Sequence, residues 1–325
     1  MKRGFYIIMA AQFFSSLADN ALLIAAIAML AQLEGPAWLT PLLKFSFTIS
    51  YVMLAFVVGA FADSMPKGRV MFATNTVKVV GCGMILFNDY LRLGSLPAYW
   101  VILLAYAVVG LGAAGYSPAK YGILTELLPP ESLVIANGWI EGLTVASIVL
   151  GTLMGGMLLG PKVSSVLLSL DFPLIDSSIN TPPEAAVAVI ASVYVIAAIF
   201  NLAIPDTGAR YPNQERNPAR LLIDYSRCFV MLWRDKLGQI SLAVTTLFWG
   251  AGATLQFILL KWAERNLDMP LQKAAALQGV SALGIAVGAV IAAKFVPLKK
   301  AVQVLPVGVA MGLVTFALVW VTWLP

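Results

Sequence analysis

The chain has 325 residues, 60% of them hydrophobic and 11% charged, with a formal net charge of +5 and a mean hydropathy of +0.87. Apolar runs this long and this frequent exclude a soluble globular domain and indicate a polytopic helical membrane protein. There is no histidine, which excludes histidine-based triads, the usual zinc sites and histidine-dependent acyl transfer. No cofactor or metal is expected, and the positive charge bears on orientation in a bilayer, not on nucleic acid.

Nine segments read as spans: 4–30, 41–62, 69–87, 98–115, 134–159, 184–204, 238–262, 273–293 and 302–323. The first is not a cleaved leader, because its apolar run outlasts a signal-peptide core and contains Asp19. Fourteen of the 21 lysines and arginines fall on one side of these spans, which places the N-terminus in the cytosol. In the first span, Asp19 lies roughly 22 Å from Gly4 at 1.5 Å per residue, followed by Asn20. An ionised carboxylate at that depth needs a partner or serves as a polar helix–helix anchor.

The second span ends in Gly59-Ala-Phe-Ala-Asp63-Ser-Met-Pro-Lys67-Gly68-Arg69, an acidic tip and a tight basic turn. Lys78 follows in the third span, roughly 14 Å from Arg69. It either faces the interior or snorkels back to the interface. Cys82 and Cys228 are expected as free thiols.

The stretch 110–141 carries the densest set of features. A small-residue run (Gly110, Gly112, Ala113, Ala114, Gly115) leads to Ser117-Pro118, where the helix is expected to break or kink, and then to Lys120. Glu126, Asn137 and Glu141 follow. Gly138 with Gly142, and Gly151 with Gly155, form small-xxx-small pairs suited to close helix packing. The loop 161–183 has no interpretation from its residues.

Residues 205–237 form the longest connection on the N-terminal side. Asn217-Pro218 reads as a helix cap with proline in the first turn. Apolar residues at helical spacing follow, interleaved with Arg220, Asp224, Arg227 and Arg234, so an amphipathic helix on the inner leaflet or an ordinary solvated linker helix is expected. Beyond it, Gly288-Ala289 repeats Gly59-Ala60, and Phe248-Trp249 stands where Phe14-Ser15 stands in the first span. The organisation is therefore a six-helix half (1–204), a linker (205–237) and a second half (238–325). Twelve spans are due on that pattern and about nine are present, so the chain reads as truncated before the last three.

The turn at 59–69 resembles the signature turn of the major facilitator superfamily. In that family the glycine permits close packing, and the acidic and basic residues form a cytosolic charge lock between halves. The arginine-rich turn is shortened here to Lys67-Gly68-Arg69. AQFFSSLADNALL (11–23), ADSMPKGRVM (62–71), GAAGYSPAKYGILTEL (112–127), ANGWIE (136–141) and LFWGAGATLQF (247–257) resemble the bacterial lysophospholipid transporter (LplT) family over nearly the whole chain. Gln256 departs from a basic residue expected there, and the loop 161–183 is longer than expected.

The resemblance implies a flippase in the bacterial inner membrane that delivers lysophosphatidylethanolamine and related lysolipids to the cytosolic leaflet. A separate acyl-carrier-protein-dependent acyltransferase would re-acylate them there. On this reading Lys120 and Lys78 meet the phosphate, Asp19 and Glu141 meet the ammonium, and Asn20 and Asn137 donate or accept hydrogen bonds. Three alternatives stand beside it. One is a proton-coupled exporter of amphiphiles with Asp19 as the proton carrier. Another is a membrane-embedded lipid-modifying enzyme, which the lack of histidine and of a soluble catalytic domain argues against. The third is a fragment without activity. Three structural expectations follow: Asp19 inside the bundle, sharing a cavity with span four or five; Asp63 without a partner in the second half; and Lys120, after a break at Pro118, ranking above Lys78.

Overall fold

The computed structural model describes residues 3–36, 38–91, 97–169, 179–209, 211, 215, 217–295 and 306–320. Its helices are α1 (Arg3–Gln32), α2 (Leu39–Leu54), α3 (Val58–Ser64), α4 (Lys67–Leu86), α5 (Tyr99–Leu127), α6 (Pro130–Leu158), α7 (Pro161–Leu168), α8 (Pro182–Leu202), α9 (Pro218–Arg234), α10 (Lys236–Asn266), α11 (Leu271–Phe295) and α12 (Val307–Ala317). The first eight segments read as spans fall on helices, the second on two, and residues 307–317 of the ninth form α12, its two ends lying outside the described residues. Among the described residues, five helices are long and apolar enough to cross a membrane alone, and seven if each bent pair is one span.

The ends of the helices follow from local chemistry. Asn217 Oδ1 accepts from the Ala219 N–H at 3.0 Å ahead of α9, with Pro218 in the first turn. The Asp235 carboxylate caps α10 by accepting from Gly238 N–H at 2.7 Å. Before α8, the Glu184 carboxylate reaches back to the N–H groups of Asn180 and Thr181 at 2.8 Å each.

Two expectations about breaks are corrected. The chain does not break at Pro118: α5 runs unbroken to Leu127. Proline removes one backbone hydrogen bond, and a helix packed between neighbours tolerates that loss inside a membrane. The turn between α5 and α6 lies at Leu128-Pro129, where both residues are extended and Pro130 opens the next helix. Conversely, the second span is not continuous. It divides into α2 and α3, bent by 70°. No proline marks that bend, so the sequence carried no sign of it. A second bend of 67° separates α6 from α7, at Pro161.

Helix α1 is the axis of the bundle, packed against α6, α8, α5 and α2. Two apolar clusters divide its length. Near the N-terminus Phe5, Ile8 and Met9 pack with Val70, Met71, Ile123, Leu124 and Ile140. Towards the opposite face Leu22, Ile24 and Leu30 pack with Ile85, Ile102, Tyr106 and Ile190, and this cluster also takes in Leu260, Ala263, Ala274 and Ala275 of α10 and α11. The second half is therefore seated on the first at the face opposite the N-terminus, and along α6, which packs on α11.

Glycine sets the closest helix contacts. A Cβ at Gly151 would lie 2.4 Å from the Leu17 carbonyl oxygen of α1, and one at Gly155 would lie 2.8 Å from that of Ala21, whereas Gly142 faces open space. The small pair at 151 and 155 thus packs α6 on α1, and the side-chain position of Gly138 lies outside the described residues. Gly151→Ala is expected to lower stability by about 1–3 kcal/mol, because the clash is with backbone. Gly142→Ala should be neutral or slightly stabilising, since alanine is the better helix former. Melting temperatures of the two variants in detergent check this, and equal losses would contradict it.

Candidate functional site

Between the two apolar clusters lies a layer of polar side chains. It begins with α1, where Ser15 and Asp19 are one turn apart on one face. Asn75 and Lys78 share a face of α4 in the same way. The Lys78 ammonium donates to Asp19 Oδ1 at 2.8 Å, Asp19 Oδ2 at 2.9 Å and Ser15 Oγ at 2.9 Å. Ser15 Oγ donates in turn to Asn75 Oδ1 at 2.8 Å. From α8 the Tyr194 hydroxyl donates to Asp19 Oδ1 at 2.6 Å. The rings of Tyr116 on α5 and Tyr194 each stand 5.4 Å from the ammonium, close enough for cation–π attraction.

The environment explains why the layer must be built this way. The Lys78 side chain is 1% exposed, so its charge has no water to answer it. The Asp19 carboxylate supplies the opposite charge, and Ser15 with two aromatic rings completes the shell. The Asp19 side chain keeps 22% of its surface open and is the accessible member of the pair. Asn75 Nδ2 and the Tyr116 hydroxyl are buried without a hydrogen-bond partner among the described residues.

The small-residue run of α5 has a role here. A Cβ at Gly112 would stand 2.6 Å from the Thr74 carbonyl oxygen and 2.7 Å from Lys78 Cγ, and one at Gly110 would stand 2.6 Å from the Phe47 carbonyl oxygen of α2. These glycines let α4 and α2 close on α5 and hold the lysine stem in place.

The candidate residues from the sequence are distributed unevenly over this layer. Asp19 and Lys78 meet directly as an ion pair, and Lys78 is buried at that pair and does not snorkel back to the interface. Asp19 lies inside the bundle as expected, but its direct partners come from α4 and α8, the third and sixth spans, not from the fourth or fifth. Asn20 turns back on its own helix and donates to the Ser16 carbonyl at 2.8 Å. Lys120 is buried on α5, with its ammonium 4.4 Å from the Tyr121 ring. With no break at Pro118, the reason for ranking Lys120 above Lys78 falls. Asn137 and Glu141 sit on α6, and their side chains lie outside the described residues. Ser15, Asn75, Tyr116 and Tyr194 were missed. Ser15 and Asn75 had a signal in their i, i+4 and i, i+3 spacing from Asp19 and Lys78. The two tyrosines had none.

A second charged group closes the face that carries the N-terminus. Lys67 is paired with Asp63 of its own turn, donates to the Ala62 carbonyl at 3.0 Å and approaches Glu126 Oε1 at 3.8 Å. Glu126 accepts from Thr207 Oγ1 at 2.6 Å and from the Tyr211 hydroxyl at 3.2 Å, and the Tyr211 ring lies 5.0 Å from the Lys67 ammonium. The Glu126 carboxylate pushes the Tyr211 phenol above its ordinary value, with burial adding to it, so the phenol keeps its proton, and its hydrogen bond to Glu126, further into the alkaline range than a free tyrosine.

Among the described residues Asp63 meets nothing in 238–325. The glycine that permits close packing is Gly68, whose Cβ would stand 3.1 Å from Ile204 Cβ and 3.2 Å from the Asn201 carbonyl oxygen. Gly59 has nothing within 4 Å, which corrects the packing role expected of it. Arg69 lines a cavity of about 240 Å³ with Asn201, Asp206 and Thr207.

Comparison with known proteins places the chain. The sequence model of the Major Facilitator Superfamily matches residues 5–325. Proteins named lysophospholipid transporter LplT from Yersinia enterocolitica serotype O:8, Yersinia pestis strain Pestoides F and Yersinia pseudotuberculosis serotype O:3 are each 40% identical to it over 313 residues. The match covers 96% of this chain and 70% of each relative.

The polar layer makes a testable demand on stability. Lys78→Met strands a partly buried carboxylate and should lower stability by about 3–5 kcal/mol, as when one member of a buried pair is removed. Tyr194→Phe removes one hydrogen bond to that carboxylate and should cost about 1.5–3 kcal/mol. Adding Asp19→Asn to Lys78→Met should restore much of the loss. Thermal unfolding of the purified variants gives the order, and a Lys78→Met protein that melts with the wild type would contradict it.

Proposed function

The chain belongs to the LplT family of the major facilitator superfamily, and from that premise we propose that it flips lysophospholipids between the leaflets of a bacterial inner membrane. The observation that carries the reading is the Asp19–Lys78 pair, a carboxylate and an ammonium held together in an apolar bundle with only the carboxylate accessible. A lysophosphatidylethanolamine head group has the same two charges in reverse, a phosphate and an ammonium. It can therefore exchange with the pair: its ammonium meets Asp19 first, and the released Lys78 meets the phosphate. No charge is left unpaired at any stage, which is what a low-dielectric path requires. No bond is made or broken, and the protein is not an enzyme.

Lys120 is proposed as a further phosphate contact from its burial and its place on α5. Asn20, Asn137 and Glu141 remain proposed head-group contacts on their sequence positions. A proton-coupled exporter is the weaker reading, because a fixed ammonium already stands where an exchangeable proton would be needed. The loop charges put the N-terminus in the cytosol. The turn Gly59, Asp63, Lys67, Gly68 and Arg69, with Glu126, then forms the cytosolic gate, and α9 lies on the inner leaflet with Arg220, Arg227 and Arg234 opposite its apolar side. A lysolipid acyltransferase that uses acyl carrier protein is the proposed consumer of the delivered lipid.

Fluorescent lysophosphatidylethanolamine in proteoliposomes tests the reading. Lys78→Gln and Asp19→Asn are each expected to slow flipping roughly ten- to hundredfold, the equivalent of about 1.5–3 kcal/mol for a charge-assisted hydrogen bond. Flipping at the wild-type rate in both variants would overturn the assignment, and no flipping by the wild type would overturn the function.

A further inference from the structure

On the face opposite the N-terminus the two halves enclose a cavity of about 470 Å³, distinct from the polar layer. One wall is the turn between α1 and α2, and the other is the turn between α10 and α11. Its floor is apolar and buried: Leu30 and Leu39 from the first half meet Leu260 and Ala274 from the second. Its rim is charged. Lys261 donates to Glu264 Oε2 at 2.7 Å, and Asp268 lines the same cavity with a second carboxylate.

Two features separate this cavity from a casual gap between helices. The first is its charge pattern. One ammonium and two carboxylates stand at the mouth of an apolar chamber, and the Lys261 and Glu264 side chains are 46% and 60% exposed. A pair that open to water is held weakly and can exchange partners with a ligand. The second is the shape of the walls. Glu34 and Asp268, one on each turn, both adopt left-handed backbone conformations, with φ of 49° and 47°. Outside glycine that conformation is uncommon, and it persists where the surrounding structure fixes a turn. The size suits a small amphiphile, within the roughly 300–1,000 Å³ of ordinary ligand sites.

We propose that this cavity is a reception site for a zwitterionic single-chain lipid, with the acyl chain on the Leu30–Leu39–Leu260 floor, the phosphate on Lys261 and the ammonium on Glu264 and Asp268. A fatty acid would leave both carboxylates unanswered, and a lipid with a purely anionic head would be repelled by them. The site rests on the flipping reading for its place in a transport path, while occupancy itself stands on the cavity.

The test uses the full chain in lipid nanodiscs and a lysophosphatidylethanolamine with a diazirine in its chain. After irradiation, adducts are expected within residues 27–40 and 257–274. The exchange Lys261→Glu with Glu264→Lys retains a charge pair but reverses it, and should reduce those adducts at least fivefold; Lys261→Gln serves if the exchange variant does not fold. A diazirine-bearing diacyl phosphatidylethanolamine should give no more than a tenth of the adducts there. No adducts in these segments, adducts unchanged by the substitutions, or equal labelling by the diacyl lipid would each overturn the proposal. Adducts in a protein that does not flip lysolipid would support the site and sink the flipping reading. Flipping without adducts would do the reverse.

Discussion

A lysine ammonium in the middle of an apolar bundle sets the terms for the rest of this structure. Lys78 has 1% of its side chain exposed, and its charge is tolerable only because Asp19, Ser15 and two tyrosine rings surround it. Four helices, α1, α4, α5 and α8, must therefore be held at fixed separations at one height. The glycines at 110 and 112 bring α5 against α2 and α4, and those at 151 and 155 bring α6 against α1. The apolar clusters above and below flank the layer and leave the Asp19 carboxylate as the accessible member of the pair. Each needs the other: without the clusters the pair would be solvated and weak, and without the pair the clusters would bury a bare charge.

The same physical requirement recurs at the two ends of the bundle in weaker form. At the N-terminal face Lys67 is nearly buried and is answered by Asp63 and Glu126, while Thr207 and Tyr211 bind the connection between the halves to the same carboxylate. At the opposite face Lys261 and Glu264 are paired in water at the mouth of an apolar cavity. Charge burial thus falls from the centre outwards on that side. A zwitterionic lipid moving inwards would meet first a loose pair and then a tight one, exchanging partners at each.

Much of the helical framework was legible because apolar length is a strong signal: nine apolar segments correspond to helices, and Asn217-Pro218 marked the start of α9. The breaks were less legible. Pro118 suggested one that packing overrides, and the bend between α2 and α3 has no proline to announce it. At the site, the cost of burying charge singled out Asp19 and Lys78, but that cost does not name a partner. Helical spacing could have added Ser15 and Asn75. Tyr194 lies 175 positions from Asp19, and only the packing of α8 on α1 brings them together. Gly59 and Gly68 look alike as turn glycines, and only the approach of α8 distinguishes them.

The exchange mechanism requires Asp19 and Lys78 to act as one unit that a head group opens. A double-mutant cycle on the flipping rate of lysophosphatidylethanolamine, with Asp19→Asn, Lys78→Gln and the combination, measures that directly. If the pair is one unit, the combined variant is no slower than the slower single variant, which corresponds to a coupling of about 1.5 kcal/mol or more. If the two effects instead multiply, each residue acts on its own and the exchange mechanism is wrong.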